Sequence, residues 1–329
     1  MIRLVLCLLA AATAALSAPR EAIVAAYVVP GAPASVLIEK FGADIAPLSQ
    51  GSLTTKLLIY GEAGSEEQVM AALRRGRVHV ASLGNAPLAT VVPEMGLINI
   101  PFLTDSHEEF DYIFDNYLRG ALTDLLKVHD MIALHWIELG PSHIYSKFPI
   151  VAVEDIKGVA IRTTFDIGTK SFLTAVGADV ISLPTPDVLP ALQTGMISGA
   201  TSVAIAYVGT GLMEQAPHYT LTYQQFTGTF VVVERKWFEG LPPEAKAAIE
   251  RAMPTTADIR RFFSDLAAQE MAKATTLTVH RPNQQQLAGW AAAARKSHPE
   301  ILQAIGGNGE EMYRRIQDLR AKYAAENGG

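Results

Sequence analysis

Short apolar runs alternate with helical patterns along this chain, and this alternation constrains the fold most. The first half contains AIVAAYVV (22–29), TKLLIY (55–60) and VHVASL (78–83), separated by helices predicted to begin near Ala34 and at Ser65. Ser65 and Gln68 form a capping box, Ser-x-x-Gln, at the second of these helix starts. Such alternation is typical of β-α-β units around a parallel sheet. The sequence therefore predicts an α/β fold.

A second strand and helix series follows MIALHWIEL (131–139), with strands predicted near 158–162, 179–183 and 219–222. The run Thr229–Val233 can return the chain to the first series. No flexible linker separates the two series, so we predict two lobes joined by continuous hinge strands. The predicted first lobe comprises residues 22–139 and 228–268, and the predicted second lobe comprises residues 140–227 and 269–329.

Composition excludes several classes of protein. A hydrophobic content of 49% and a charged content of 18% over 329 residues are typical of a globular chain with a sizeable core. The formal net charge of -6 provides no basic field for nucleic acid. Any binding of an anion must therefore depend on a local group.

The N-terminus has the pattern of a secretory signal peptide. Arg3 precedes an apolar run, Leu4–Leu16, and small residues around Ser17 form a cleavage zone, so residues 1–18 are predicted to be removed. The run is short for a bilayer anchor, although an uncleaved anchor is the alternative. The only cysteine, Cys7, lies in this leader. We therefore expect an exported, periplasmic protein without disulfides or thiolate metal sites.

The stretch 156–202 is the most informative about function. It begins IKGVAIRTTFD, and in it Arg162 ends a short apolar strand. A guanidinium at such a place is costly unless an anion meets it, and its fork of donors suits a carboxylate. The partner is either a small acid ligand or an internal carboxylate, Asp166 or Glu138.

Four segments together resemble the solute-binding proteins of tripartite ATP-independent periplasmic (TRAP) transporters, the DctP-type family. They are 156–202, GSEEQVMAALRRGRVHVA (64–81), VPEMGLINIPFL (92–103) and KWFEGLPPEAKAAI (236–249), in the family's order and at roughly its spacing. The resemblance implies a type II-like, two-lobed periplasmic binding protein with a long helix that spans both lobes. That helix falls here in residues 242–276, where Pro254 should break or kink it.

The resemblance also implies a function. Proteins of this family capture an organic acid and deliver it to integral membrane permease subunits of a TRAP transporter. Two alternatives stay open: a receptor that serves an ATP-driven importer or a sensor kinase, and a secreted enzyme that acts on a small acid.

The family's binding residues map onto particular positions of this chain. Arg162 matches the carboxylate-binding arginine. A second arginine is common in the family at the position of Ser142, which is followed here by His143, and Ser202 stands where the family has an asparagine. The missing second cation predicts a ligand with a single carboxylate.

Aromatic residues stand where the family lines its cleft, namely Tyr27, Trp136, Phe165, Tyr207 and Phe226. Because binding sites are largely apolar with a few placed polar groups, these rings favour a monocarboxylate with an apolar or aromatic body. Glu66 and Glu67 stand at a helix start, where acidic residues interact favourably with the helix dipole, and one of them matches a family position that can face polar ligands. Asn85 follows a predicted strand, at the end where α/β folds place ligands.

Catalytic and metal motifs are missing from the sequence. It contains no phosphate loop, no H-E-x-x-H and no G-x-S-x-G run. We interpret His107, Glu108, Glu109 and Asp111 as a solvated charged helix face, because their spacing fits a metal-ligand set poorly. We therefore predict a binding protein, not an enzyme, without a cofactor.

Overall fold

The computed structural model describes residues 19–28, 32–164 and 166–327. The predicted signal peptide and Phe165 lie outside the described residues.

The described residues form nine strands and fifteen α-helices. The strands are β1 (Arg20–Ala25), β2 (Leu53–Leu58), β3 (Val80–Gly84), β4 (Met131–Ser146), β5 (Ala160–Thr163), β6 (Asp179–Ser182), β7 (Gly199–Val203), β8 (His218–Glu234) and β9 (Thr278–His280). The helices are α1 (Pro33–Leu48), α2 (Glu66–Arg74), α3 (Asn85–Ala89), α4 (His107–Ile113), α5 (Arg119–Val128), α6 (Ile167–Ala175), α7 (Val188–Thr194), α8 (Ala204–Gly209), α9 (Leu212–Gln215), α10 (Arg235–Glu239), α11 (Pro243–Arg251), α12 (Thr256–Lys273), α13 (Gln284–Arg295), α14 (His298–Ile305) and α15 (Gly309–Asn327).

All the strands belong to one sheet with the order β2-β1-β3-β8-β4-β7-β5-β6, and β9 pairs with β8. In the first half β1 is parallel to β2 and β3, and in the second half β5 is parallel to β6 and β7. The two halves are joined by the antiparallel strands β4 and β8, of 16 and 17 residues. The predicted α/β fold with continuous hinge strands is therefore confirmed.

The predicted strand at 219–222 and the run 229–233 are parts of one strand, β8. Strand β4 pairs with both parts of it. The pairing of β4 with β8 shifts register between Glu138 and Gly140, where Gly140 has a φ of +102°. Glycine adopts this left-handed conformation without the steric cost of a side chain. The irregularity lies at the predicted crossing between the lobes, so it is the natural hinge candidate.

Local signals in the sequence set several helix ends. The side chain of Ser65 caps α2, and Gln68 Oε1 accepts a hydrogen bond from Ser65 N at 2.9 Å, as the predicted capping box requires. The predicted break at Pro254 is also confirmed, since α11 ends before it and α12 begins after it. The second piece, α12, packs Phe263 into the core that contains Phe41 of α1, and Met271 against the core that contains Tyr207 and Tyr219.

The tail forms three helices, α13 to α15. Helix α13 packs Trp290 against Phe172 in a core composed mainly of predicted second-lobe residues. Helices α14 and α15 instead pack into the same core as Trp136 of the predicted first lobe, through Ile301, Ile305, Met312 and Ile316. An amphipathic pattern shows that one helix face is buried, but it does not show which lobe covers that face.

Candidate ligand-binding site

Arg162 lies near the C-terminal end of β5, between β6 and β7, and is 7% exposed. Its Nε donates a hydrogen bond to Leu183 O at 2.9 Å, and Nη2 donates to Thr185 Oγ1 at 3.3 Å. Both acceptors are neutral. Among the described residues no carboxylate forms an ion pair with Arg162, and burial lowers the pKa of its guanidinium.

The two internal partners proposed from the sequence have other roles. Asp166 caps α6, where Oδ1 accepts from Gly168 N at 2.9 Å. Glu138 pairs with His107 and Arg260. The internal ion pair is therefore absent, and Arg162 is a desolvated cation whose charge no described residue balances. Such a group favours an external anion.

Ser202 lies on β7, the strand next to β5. Its Oγ donates to Val203 O at 3.2 Å, and its backbone carbonyl accepts from Tyr219 at 3.0 Å. Because β5 and β7 are parallel neighbours, Arg162 and Ser202 lie toward the same C-terminal edge of the sheet. Ligands of open α/β sheets bind at that edge.

Three first-lobe candidates lie at the C-terminal ends of β1 and β3. Glu66 accepts from Gly84 N at 2.8 Å, and burial raises the pKa of its carboxyl. Asn85 is 6% exposed, donates to Asn99 Oδ1 at 3.0 Å, and leaves its own Oδ1 without a partner in the described part of the chain. Tyr27 is 52% exposed. This edge thus offers a carboxylate, an amide and one accessible ring.

Ser142 and His143 point to opposite faces of β4, because successive side chains of a strand alternate. Ser142 accepts from Gln224 Nε2 at 3.3 Å, whereas Nδ1 of His143 accepts from Tyr223 N at 3.1 Å. Burial lowers the pKa of His143 to about 3, so the ring is neutral at physiological pH. A ligand over one face of the hinge therefore meets only one of these two side chains.

Three of the predicted pocket aromatics lie inside hydrophobic cores. Trp136 is 0% exposed and packs on Phe230, and Tyr207 is also 0% exposed, with its hydroxyl donating to Ala216 O at 2.6 Å. Phe226 is 5% exposed and its ring centroid lies 4.2 Å from that of Phe110. Their burial counts against a direct contact with ligand.

Sequence reasoning missed the residues that hold Arg162 in place. Leu183 and Thr185 follow β6 and orient the guanidinium from a neighbouring connection. The only signal was the position of the segment LPTP directly after a predicted strand. Asn99, which orients Asn85, carried no signal beyond its place in the family-like segment 92–103.

The supposed solvated face at His107 and Asp111 is instead part of a half-buried charged cluster around the buried Glu138. His107 Nε2 lies 2.7 Å from Glu138 Oε1, and Arg260 Nε lies 2.9 Å from Glu138 Oε2. Arg260 Nη2 lies 2.9 Å from Asp111 Oδ1. The sequence interpretation of these two residues was wrong, because the fully buried partner Glu138 is distant in the sequence.

Opposing effects set the pKa values in this cluster. Burial alone would raise the pKa of Glu138, but His107 and Arg260 hold it below its usual value. Burial together with the charge of Glu138 raises the pKa of Asp111 to about 6. Ligand atoms of His107, Asp111 and Glu138 lie within 4.8 Å of one another, as in a metal site. Arg260 already provides the positive charge there, so the cluster does not favour a metal ion.

The sequence profile of the bacterial extracellular solute-binding proteins, family 7, matches residues 25–304. The chain belongs to this family. It is 22% identical over 284 residues to the C4-dicarboxylate-binding periplasmic protein DctP of Rhodobacter capsulatus, covering 85% of each chain. It is also 22% identical to the ectoine-binding periplasmic protein TeaA of Halomonas elongata, over 84% of this chain and 83% of the relative.

Solved TRAP periplasmic binding proteins share the two-lobed fold. A sugar acid binding protein from Advenella mimigardefordensis, solved with galactonate, superimposes with a TM-score of 0.79 at 23% identity, over 92% of this chain and 98% of the other. A TRAP periplasmic solute-binding protein from Sulfitobacter sp., solved with β-D-galacturonate, superimposes with a TM-score of 0.81 at 21% identity, over 92% of this chain and 100% of the other. Within the described residues, no helix has the length and apolarity needed to cross a membrane. The family consists of transport binding proteins.

Proposed function

We propose that this family member binds one small organic acid through Arg162 and delivers it to the integral membrane permease subunits of a TRAP transporter. The observation that carries the proposal is the buried guanidinium of Arg162, which has neutral hydrogen-bond partners and no described acidic partner. A charge-assisted hydrogen bond to a carboxylate contributes about 1.5 to 3 kcal/mol. Two such bonds account for tight capture.

A single carboxylate suits this site better than two. Ser142 is neutral, 6% exposed and hydrogen-bonded to Gln224, so it provides no cation for a second acid group. Burying an unpaired carboxylate costs several kcal/mol. The ligand is therefore a monocarboxylate.

The rest of the ligand is better matched by hydroxyl groups than by an apolar or aromatic body. The burial of Trp136, Tyr207 and Phe226 removes most of the support for aromatic contacts. Glu66 and Asn85 instead provide oxygen atoms that accept hydrogen bonds from hydroxyls. Sugar acids are bound by several structural neighbours, such as those solved with galactonate and β-D-galacturonate.

A series of calorimetric titrations with different acids, called the competition series below, tests this function. The protein is refolded free of ligand and titrated with galactonate and glucuronate, with phenylacetate as the aromatic acid, and with succinate as the dicarboxylate. We expect measurable binding of at least one hydroxylated monocarboxylate and weaker binding of succinate. Preference for phenylacetate would restore the aromatic body, and preference for succinate would overturn the single-carboxylate proposal.

A further inference from the structure

A cavity of about 800 Å³ lies beside the hinge and is separate from the candidate site. We call it the rear cavity, and its walls include Leu139, His143, Leu221, Phe263, Met271 and Arg281. Neither Arg162, Ser202 nor Asn85 lines it. Because His143 lines the cavity and points away from the face of β4 that carries Ser142, the cavity opens on the opposite face of the hinge.

His143 presents an unused hydrogen-bond donor in this wall. The ring is 3% exposed and neutral, and its Nδ1 accepts from the backbone N–H of Tyr223. An accepting Nδ1 places the single ring proton on Nε2. No hydrogen bond between described residues engages Nε2, and His143 lines the cavity, so this N–H is free to donate to an occupant. A ligand acceptor would complete this donor.

The charges around the rear cavity also favour a ligand that accepts hydrogen bonds. The carboxylate of Glu138 is engaged by His107 and Arg260, so its charge is compensated. Arg281 is exposed at the cavity and forms no ion pair within the described residues. Two exposed acidic residues also line the cavity: Asp105, which pairs with Arg295 and Arg320, and Glu108, which forms no ion pair within the described residues. The wall therefore offers donors and one unpaired guanidinium to an occupant.

We propose that the rear cavity is a second binding site, which takes a carboxylate with an apolar body. Leu139, Leu221, Phe263 and Met271 supply the apolar wall, while His143 and Arg281 supply the donors. A volume of about 800 Å³ lies within the usual range of small-molecule sites, about 300 to 1,000 Å³. The occupant touches none of Arg162, Glu66 and Asn85, to which the proposed function assigns acid binding, so this site stands or falls independently of that function.

The probe for this site is 4-phenylbutyrate, titrated calorimetrically into the purified protein and its variants. Ala268, on the exposed side of α12, lines the cavity, so Ala268→Trp fills it without disturbing a core. Arg281→Ala removes the rim cation, and Arg314→Ala removes an equivalent exposed cation outside the cavity. Arg162→Ala disables the proposed acid site and leaves the rear cavity intact.

The wild type should bind the probe, and Arg162→Ala and Arg314→Ala should bind it equally well. We expect Ala268→Trp to weaken binding at least tenfold and Arg281→Ala to weaken it several-fold. Circular dichroism and thermal melting verify that each variant is folded. Tighter binding of the probe by a folded Ala268→Trp variant would also contradict the proposal. Undetectable binding at millimolar probe, unchanged binding by Ala268→Trp, or loss of binding in Arg162→Ala would each overturn it.

Discussion

Arg162 and Arg260 are both largely withdrawn from solvent, but their surroundings are opposite. Arg162 is 7% exposed and its guanidinium donates to a carbonyl and a hydroxyl. Arg260, whose side chain is 17% exposed, lies against the carboxylates of Glu138, Asp111 and Asp115. Burial lowers the pKa of both, but at Arg260 the acidic neighbours outweigh burial and raise it. The two arginines therefore differ more in their partners than in their burial, and this difference is the basis for proposing Arg162 as the binding cation and Arg260 as a structural one.

Replacing Arg162 should produce the largest effect, and that effect should be on binding. Loss of two charge-assisted hydrogen bonds removes about 3 to 6 kcal/mol, so Arg162→Ala should weaken acid binding by at least about a hundredfold. Its stability should fall by less, about 1 to 3 kcal/mol, because two neutral acceptors lose their donor while a desolvated charge is removed. Calorimetry with the best acid from the competition series measures the affinity, and urea unfolding measures stability.

Arg314→Ala, which removes an exposed cation elsewhere, is the matched control and should bind normally. An unfolded Arg162→Ala variant, or one with unchanged affinity, would show that Arg162 is structural and would remove the contrast with Arg260.

Replacing Arg260 should act on stability instead. Arg260→Met leaves Glu138, which is 1% exposed, with His107 as its remaining charged partner. Breaking a buried ion pair in this way typically costs about 3 to 5 kcal/mol. Chemical unfolding at neutral pH should show a loss of stability of this size. The folded variant should bind the acid with little change in affinity.

The adjacent Arg261 provides a close control, because it is exposed and pairs only with Asp258 in the described chain. Arg261→Met should cost less than about 1 kcal/mol, as exposed ion pairs do. If both methionine variants lose equal stability, the effect belongs to the helix surface and not to the buried cluster.

The contrast between the two arginines also marks the limit of what the sequence predicts. The capping box at Ser65, the break at Pro254 and the strand around Arg162 depend on neighbours in the chain, so local patterns predicted them. The pairing of Glu138 with Arg260 joins residues 122 positions apart, and no local pattern contains it. The sequence therefore predicted where Arg162 lies, but not that its proposed internal partner was already engaged.

A similar limit applies to residues next to each other in β4. The sequence analysis placed Ser142 and His143 in one site, although strand alternation separates them onto two faces. It also assigned Trp136 to a pocket, because an aromatic residue in a strand shows burial without showing whether a core or a ligand covers it. In the structure Trp136 is fully buried beside Phe230.

The pH dependence of stability gives the smallest and most selective test of the comparison. In the wild type the pKa of Glu138 is held below its ordinary value of 4.5. The ionised carboxylate therefore contributes to folding stability above that ordinary value, and this contribution is lost as the pH falls through the pKa of the folded state. Arg260→Met removes one cause of this lowering and leaves only His107 to oppose burial, so the pKa of Glu138 rises, and protonation relieves the less compensated charge as the pH falls. The stability deficit of Arg260→Met should therefore shrink, by about 1 to 2 kcal/mol, between pH 7.5 and pH 5.

Arg162→Ala should keep a constant difference in stability from the wild type over the same range, because no described acid pairs with Arg162. Urea unfolding of the three proteins at closely spaced pH values measures both trends, and a pH-dependent deficit in Arg162→Ala would reveal an acidic partner and erase the distinction.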